Sequence, residues 1–275
     1  MRTLVHLSDL HFGRVDDALL SPLAKLVTQI KPDVVVVSGD LTQRARTEEF
    51  KEARRFLASL PSPQIVVPGN HDVPLHNVFT RFFQALDKYQ RYITNDLEPV
   101  YVDEEIAVVG INSARSLTIK SGRVNEQQIT RIRTRLCALD AHITKIIVAH
   151  HPFDLPDADN GREIVGRAPL AMAMFASCGV DLLLAGHLHV SNAGNTAARY
   201  KIGDYSALVV QAGTATSTRR REEANSFNVI RINPPHISID NFAWQAELGA
   251  FTLSATESFQ RSANGWSRVT IRPIA

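Results

Sequence analysis

Cysteine is scarce in this 275-residue chain, which has only Cys137 and Cys178. One falls in an expected helix and the other just before Gly179, so neither a disulfide framework nor a thiolate metal site is indicated, and both read as buried thiols. Long apolar runs are lacking as well, and no stretch approaches the length needed to cross a bilayer. Charge of one sign is not in excess: 30 Lys and Arg against 28 Asp and Glu leave a formal net charge of +2. That balance gives no broad electrostatic footprint for a nucleic-acid polymer, with Arg219-Arg220-Arg221 as a local exception. The opening residues reach Ser8 and Asp9 too early for a secretory hydrophobic region, which predicts a cytoplasmic protein. No internal repeat or low-complexity segment interrupts the chain, and residues 1–275 are read as one α/β domain.

What is present is a rhythm of short strand-forming runs, each followed by a polar cluster. Leu4 to Leu7, Val34 to Val37, Ile65 to Val67, Lys145 to Ala149 and Asp181 to Ala185 read as buried strands. Directly after them come Asp9-Leu10-His11, Gly39-Asp40, Gly69-Asn70-His71-Asp72, His150-His151-Pro152 and Gly186-His187-Leu188-His189. Helical spacing separates the runs: Leu19, Leu23, Leu26, Val27 and Ile30, then Phe50, Ala53, Phe56, Leu57 and Leu60. A further helix opens at Asn125 with Gln128 placed as in a capping box, and another lies around Leu170 to Ser177. From Ala207 onward strands follow in succession, and residues 214–275 are expected to complete a second sheet. Alternating βα units followed by strands fit an α/β fold of two face-to-face mixed β-sheets flanked by helices.

In open α/β sheets, ligands gather outside the carboxyl ends of the strands. A single Asp-x-His or Gly-His-x-His would be an ordinary polar strand end. All of the clusters together put imidazole, carboxylate and amide donors on rigid elements, as a pair of metal ions requires. The candidate ligands are Asp9, His11, Asp40, Asn70, His150, His187 and His189.

The order and spacing of these clusters, with Gly69-Asn70-His71-Asp72 at their centre, resemble the calcineurin-like metallophosphoesterase superfamily from Arg2 to about Gly213. Leu7 to Gly13 and Val67 to Val73 look most like the branch that holds bacterial class III cyclic-nucleotide phosphodiesterases and glycerophosphodiesterases. The resemblance implies a four-layer sandwich and two metal ions, one held by Asp9, His11, Asp40 and His189, the other by Asp40, Asn70, His150 and His187. Mixed nitrogen and oxygen donors suit Mn, Fe or Zn. The implied reaction is attack of a metal-bridging hydroxide on a small phosphodiester, with 3′,5′-cyclic AMP as the leading substrate. A glycerophosphodiester, a phosphomonoester or the pyrophosphate of a lipid precursor are alternatives, and a non-catalytic binding scaffold is a further reading. His71 is the expected proton donor to the leaving alkoxide, with Asp72 holding its ring.

Substrate contacts are assigned to Asn70, Arg115, His151, Thr218 and Arg219, each beside a plainer reading. Arg115 is a candidate phosphate fork or a surface ion pair. His151 faces substrate or closes the turn before Pro152. Thr218 and Arg219 belong to a hydroxyl-rich segment from Gly213 to Arg221 that suits phosphate or ribose, or is a solvated hairpin loop. Residues 154–167 are long and polar enough for a rim or lid. Phe79, Phe82, Phe83, Leu86, Tyr89 and Ile93 form an apolar helical stripe that serves as core, as cap or as the face of a homodimer. His6, between Val5 and Leu7, reads as a satisfied strand histidine.

Overall fold

In β1 (Arg2–Leu7) and β2 (Val34–Val37), successive side chains point to opposite faces. Leu4, Val34 and Val36 enter one apolar cluster, while Val5, Leu7, Val35 and Val37 enter another. Runs that are apolar on both faces belong to strands covered on both sides. One cover is α1 (Asp17–Ile30) with α2 (Thr47–Ala58), and the other is a second sheet. The α1 helix begins where Asp16 accepts a hydrogen bond from the Ala18 amide at 3.2 Å, buries Leu19, Leu23 and Val27, and stops at Lys31 in a left-handed conformation. This computed structural model describes residues 1–75, 84–115, 121–155, 164–196, 199–200, 202–218, 223–262 and 265–269.

The remaining strands are β3 (Gln64–Val66), β4 (Val100–Val102), β5 (Ile106–Ile111), β6 (Thr144–Ala149), β7 (Leu182–Ala185), β8 (Asn192–Asn195), β9 (Leu208–Gln211), β10 (Ser226–Asn233), β11 (His236–Gln245), β12 (Ala250–Ser262) and β13 (Gly265–Val269). One sheet has the order β13-β12-β11-β10-β1-β2-β3, the other β4-β5-β6-β7-β9-β8. Parallel pairing of β1 with β2, β2 with β3, β5 with β6 and β6 with β7 points their carboxyl ends the same way. Ile146, Val148, Leu182 and Leu184 face Leu4 and Val36 between the sheets, whereas Ile147, Ala149 and Leu183 pack under α4 (Glu126–Leu136) and α5 (Ala168–Cys178). The outcome is the expected pair of mixed sheets between helical layers. Asn125 and Gln128 close the capping box as expected, Asn125 Oδ1 accepting from the Gln128 amide at 2.8 Å and Gln128 Oε1 from the Asn125 amide at 3.1 Å.

Two expectations change. Strands β10 to β13 extend the first sheet rather than complete the second, because β10 pairs antiparallel with β1 and the hairpins that follow add outward from it. Cys137 and Cys178 are bonded to each other rather than free. The C-terminal ends of α4 and α5 meet over the same sheet face, a meeting that a sequence separation of 41 hides from local sequence pattern.

In the apolar stripe, Phe79, Phe82 and Phe83 lie outside the described residues. Tyr89, in α3 (Asp87–Tyr92), is buried core, its hydroxyl donating to the Val66 carbonyl at 2.9 Å, and Leu86, Tyr92 and Ile93 pack against the same cluster. Residues 156–163 of the expected lid are likewise outside the description. Its flanks are anchored: Leu155 and Val165 are buried, and Asp154 accepts from Arg199 Nε at 2.7 Å. Among the described residues, no helix is long and apolar enough to cross a membrane.

Candidate metal centre

Each strand run ends in a turn that throws its polar side chain inward. Asp9, His11, Asp40, His187 and His189 all adopt positive φ, between 52° and 74°. A left-handed conformation costs a non-glycine residue about 1–3 kcal/mol and persists only where the surroundings impose it. Two close approaches help to impose it. A Cβ on Gly69 would lie 2.1 Å from Asp40 Oδ1, and one on Gly186 would lie 1.8 Å from Ser8 Oγ and 2.5 Å from Asp9 Oδ2. Only glycine lets these loops sit against the neighbouring carboxylates.

The two buried carboxylates divide their oxygens alike. Asp9 Oδ2 accepts from Ser8 Oγ at 2.6 Å and from the His187 amide at 3.0 Å. Its Oδ1 receives no hydrogen bond from the described residues and lies 3.1 Å from His189 Nε2 and 3.5 Å from His11 Nε2. Asp40 Oδ1 accepts from the His71 amide at 2.8 Å, which leaves Oδ2 3.3 Å from His150 Nε2 and 3.7 Å from His11 Nε2. Asn70 Oδ1 lies 3.1 Å from His150 Nε2. The His187 ring stands 5.1 Å from that of His150, centroid to centroid. All seven expected ligands are therefore gathered where the carboxyl ends of strands from both sheets meet, with Asp40 between the Asp9–His11–His189 group and the His150 group.

Electrostatics follow from burial and crowding. Burial opposes ionisation of Asp9, but His11 and His189 prevail and hold it well below the usual carboxylate range. The same balance, with His150 as the main partner, holds Asp40 low. Burial pushes the His150 imidazole down, yet Asp40 overrides it and raises its pKa to about 9. His187, buried beside His150, falls to about 4. The donor set fits transition-metal cations: an unsatisfied buried carboxylate oxygen is costly unless something positive meets it, and imidazole nitrogens surround it at ligand-like separations. Ligand atoms of Asp9, His11 and His189, and likewise of Asp9, Asp40 and His150, lie within 4.8 Å of one another.

His71 sits beside this cluster, its ring 5.0 Å from that of His11. Its Nδ1 is 2.8 Å from the Gln43 carbonyl, which can only accept, so Nδ1 carries the hydrogen and Nε2 is the titrating position. Asp72 does not steer that ring as expected. Its carboxylate accepts from the amides of Gly69, Leu41 and Thr42 and from Thr42 Oγ1, stapling the Asn70 turn to the Asp40 turn. Burial, and then Asp40, raise the Asp72 pKa to about 6.

The expected substrate contacts are dispersed. His151 does reach the cluster, its ring 4.7 Å from that of His187, and Ser113 Oγ holds its Nδ1 at 2.8 Å. Arg115 donates to the Ala114 carbonyl and to Gln128 Oε1 at the start of α4, and none of its described partners is a metal-site residue. Thr218 Oγ1 donates to the Arg14 carbonyl at 3.1 Å, clamping its loop to the segment after His11. Arg219 lies outside the described residues. His6 is buried with Nε2 on Ser38 Oγ at 2.9 Å, and burial lowers its pKa to about 3. Its Nδ1 has no partner among the described residues, which leaves it half satisfied there. Sequence reasoning missed Ser8 and Gln43, which orient Asp9 and His71; adjacency to Asp9 was the one available signal, and only for Ser8.

A sequence model described as calcineurin-like phosphoesterase matches residues 2–191. The chain belongs to that family. Among similar members is a probable glycerophosphodiester phosphodiesterase GpdQ from Arcobacter nitrofigilis, 28% identical over 162 residues, which are 58% of this chain and 57% of that protein. A glycerophosphodiester phosphodiesterase GpdQ from Enterobacter lignolyticus is 39% identical over 80 residues, 25% of this chain and 29% of its own length. The chain thus matches less than two thirds of either phosphoesterase. The 3′,5′-cyclic adenosine monophosphate phosphodiesterase CpdA of Escherichia coli K12 is 22% identical over 200 residues, covering 68% of this chain and 69% of that protein. A dimetal phosphatase from Danio rerio shares the phosphoesterase fold, with a TM-score of 0.63 at 14% identity over 87% of this chain and 95% of that one.

Proposed function

We propose that this phosphoesterase is a metal-dependent phosphodiesterase acting on a small diester, with residues 1–275 as one domain. The observation that carries this reading is the placing of Asp9 Oδ1 and Asp40 Oδ2 among the rings of His11, His150 and His189. Asp9, His11, Asp40 and His189 would hold one ion, and Asp40, Asn70, His150 and His187 the other. When bound, the ions would favour ionisation of a water molecule and offset the charge that builds on the phosphoryl oxygens. The chain's own residues do the rest. Ser8 and the His187 amide fix Asp9, the His71 amide fixes Asp40, and the Gln43 carbonyl aims His71 so that Nε2 delivers a proton to the departing alkoxide.

A cyclic nucleotide such as 3′,5′-cyclic AMP is one substrate reading. A glycerophosphodiester is the second, supported by the similarity to the two GpdQ-named proteins. The deciding experiment is turnover of 3′,5′-cyclic AMP, glycerophosphoethanolamine and bis(4-nitrophenyl) phosphate by one Mn-loaded preparation, with Asp40→Ala as the blank. Asp40-dependent cleavage of one natural diester selects between the readings, and no cleavage of any diester by the loaded protein rejects the phosphodiesterase.

A further inference from the structure

The face of β10, β11 and β12 that looks toward the second sheet is aliphatic through Ile230, Ile232, Ile237 and Ile239, then turns polar at the edge that carries the metal cluster. There the side chains of Ser191, Glu223, Ser226, Asn228, Asn241 and Glu257 line a pocket of about 300 Å³. Its position follows from the pairing. His6 of β1 lies opposite Asn228, so Ser226 stands one pleat nearer the end of β1 that delivers Asp9. The Ser226 amide donates to Thr214 and the Ala215 amide to Ser8. Ser191 is two residues beyond His189, and its amide donates to Glu223 at 3.0 Å. The pocket therefore flanks the metal cluster on its β8 and β10 side.

The amide side chains are already spent. Asn228 Oδ1 accepts from Ser191 Oγ and Asn241 Nδ2 while its Nδ2 donates to the Gln211 carbonyl, and Asn241 Oδ1 accepts from Ser254 Oγ. They form a fixed wall. What is left over is acceptor-rich: the second Glu223 oxygen, the Glu257 carboxylate that pairs with Arg268, and Ser226 Oγ, which is buried and has no hydrogen-bond partner among the described residues. Leaving a buried hydroxyl without a hydrogen bond is unfavourable, so its retention here points to a group that supplies one. Arg268 is committed to Glu257 and Glu223 adds a negative charge, so the pocket disfavours a phosphate and suits hydroxyl donors. The small side chains of Ala193 and Ala255 leave room for a carbon skeleton.

We propose that this pocket binds a hydroxyl-rich, uncharged alcohol moiety, of glycerol or pentose size, whose hydroxyls donate to Glu223 and Glu257 and exchange a hydrogen bond with Ser226. Its part in turnover rests on the phosphodiesterase reading: it would hold the alcohol end of the diester while the phosphoryl group lies at the cluster. Binding is tested apart from turnover, by saturation-transfer NMR of glycerol and D-ribose with the purified wild-type protein and with Ala255→Leu and Ser226→Ala. Wild type binds one or both polyols, and each variant weakens that binding by about tenfold, the loss expected for one hydrogen bond or a blocked pocket. Equal signals from all three proteins, or none with wild type, overturn the site. In a second arm, the ratio of kcat/KM for glycerophosphoethanolamine to that for bis(4-nitrophenyl) phosphate falls by a similar factor in both variants. An unchanged ratio overturns the role in substrate selection. If wild type binds polyol yet cleaves no diester, the phosphodiesterase reading fails and the binding site stands.

Discussion

Where the parallel strands begin, Asp33, Asp103 and Asp181 spend their oxygens on the backbone and on arginine. Asp33 accepts from the Thr3 amide, Asp103 from the amides of Glu105 and Ile106, and Asp181 from the Lys145 amide, while Arg2 and Arg261 cover the remaining oxygens. At the opposite edge, Asp9 and Asp40 each spend one oxygen on hydrogen bonds and keep the other among imidazoles. The residue type is the same at both edges, and so is its place beside a strand end. What marks the candidate metal edge is buried acceptor capacity held among imidazoles, as at Asp9 Oδ1, which receives no hydrogen bond from any described residue. That contrast predicts that a carboxylate-to-amide change at one edge abolishes chemistry and at the other leaves it intact.

The largest effect belongs to Asp40→Asn, which removes the charge shared by both halves of the cluster. Turnover of any diester drops by at least about 10³-fold, the upper end of what losing one electrostatic contact costs, and bound Mn measured by elemental analysis falls with it. Asp33→Asn retains both. Full metal content with near-normal turnover in Asp40→Asn would erase the distinction between the edges. Next comes His71→Ala. Loss of a general acid costs about 10²–10⁴-fold where the leaving group is an alkoxide and far less where it is 4-nitrophenolate. Equal losses on glycerophosphoethanolamine and bis(4-nitrophenyl) phosphate would reduce His71 to a structural histidine held by Gln43.

Much of the candidate site was legible in the sequence because each strand carries its polar cluster within a few residues of its end, so the local pattern sufficed to pick out Asp9, His11, Asp40, Asn70, His150, His187 and His189 as candidate ligands, which the fold brings together. The strand runs themselves, such as Val34 to Val37 and Leu208 to Gln211, were legible for the same reason. What failed was non-local. Nothing near Asp72 announces that its oxygens go to Gly69, Leu41 and Thr42. The sheet joined by β10 depends on the unpaired side of β1, and the Cys137–Cys178 bond depends on two helix ends meeting over a sheet. The polar pocket around Ser226 exists only once β8 of one sheet meets β10, β11 and β12 of the other.

The edge away from the cluster holds by covalent and backbone links, and breaking them lowers stability rather than chemistry. Cys137→Ala opens a loop closed over 41 residues, for which chain entropy predicts a loss of roughly 3–4 kcal/mol. Denaturant titration reads this as a lower midpoint, while kcat on the aryl diester at 25 °C is retained. An unchanged midpoint would mean that the packing of α4 on α5 holds that end without the bond.

The smallest effect, and the sharpest test of the two kinds of aspartate, is at Asp181. Replacing it by Ala strands the Lys145 amide and costs about 1–3 kcal/mol, with turnover preserved. Its pH dependence separates burial from pairing. Burial is the main influence on Asp181 and raises its pKa above 3.8, although the Lys145 amide and Arg261 pull the other way. The folded protein therefore holds this proton more tightly than the unfolded chain, so the stability linked to it is full below 3.8 and is lost as pH rises through the higher folded value. Asp181→Asn removes the titration and keeps an acceptor for Lys145, so unfolding free energy measured from pH 3.5 upward declines less steeply than in wild type. A steeper decline in the variant would show that the ion pair with Arg261, rather than burial, governs this carboxylate, and the edge away from the cluster would then depend on its charge as the functional edge does.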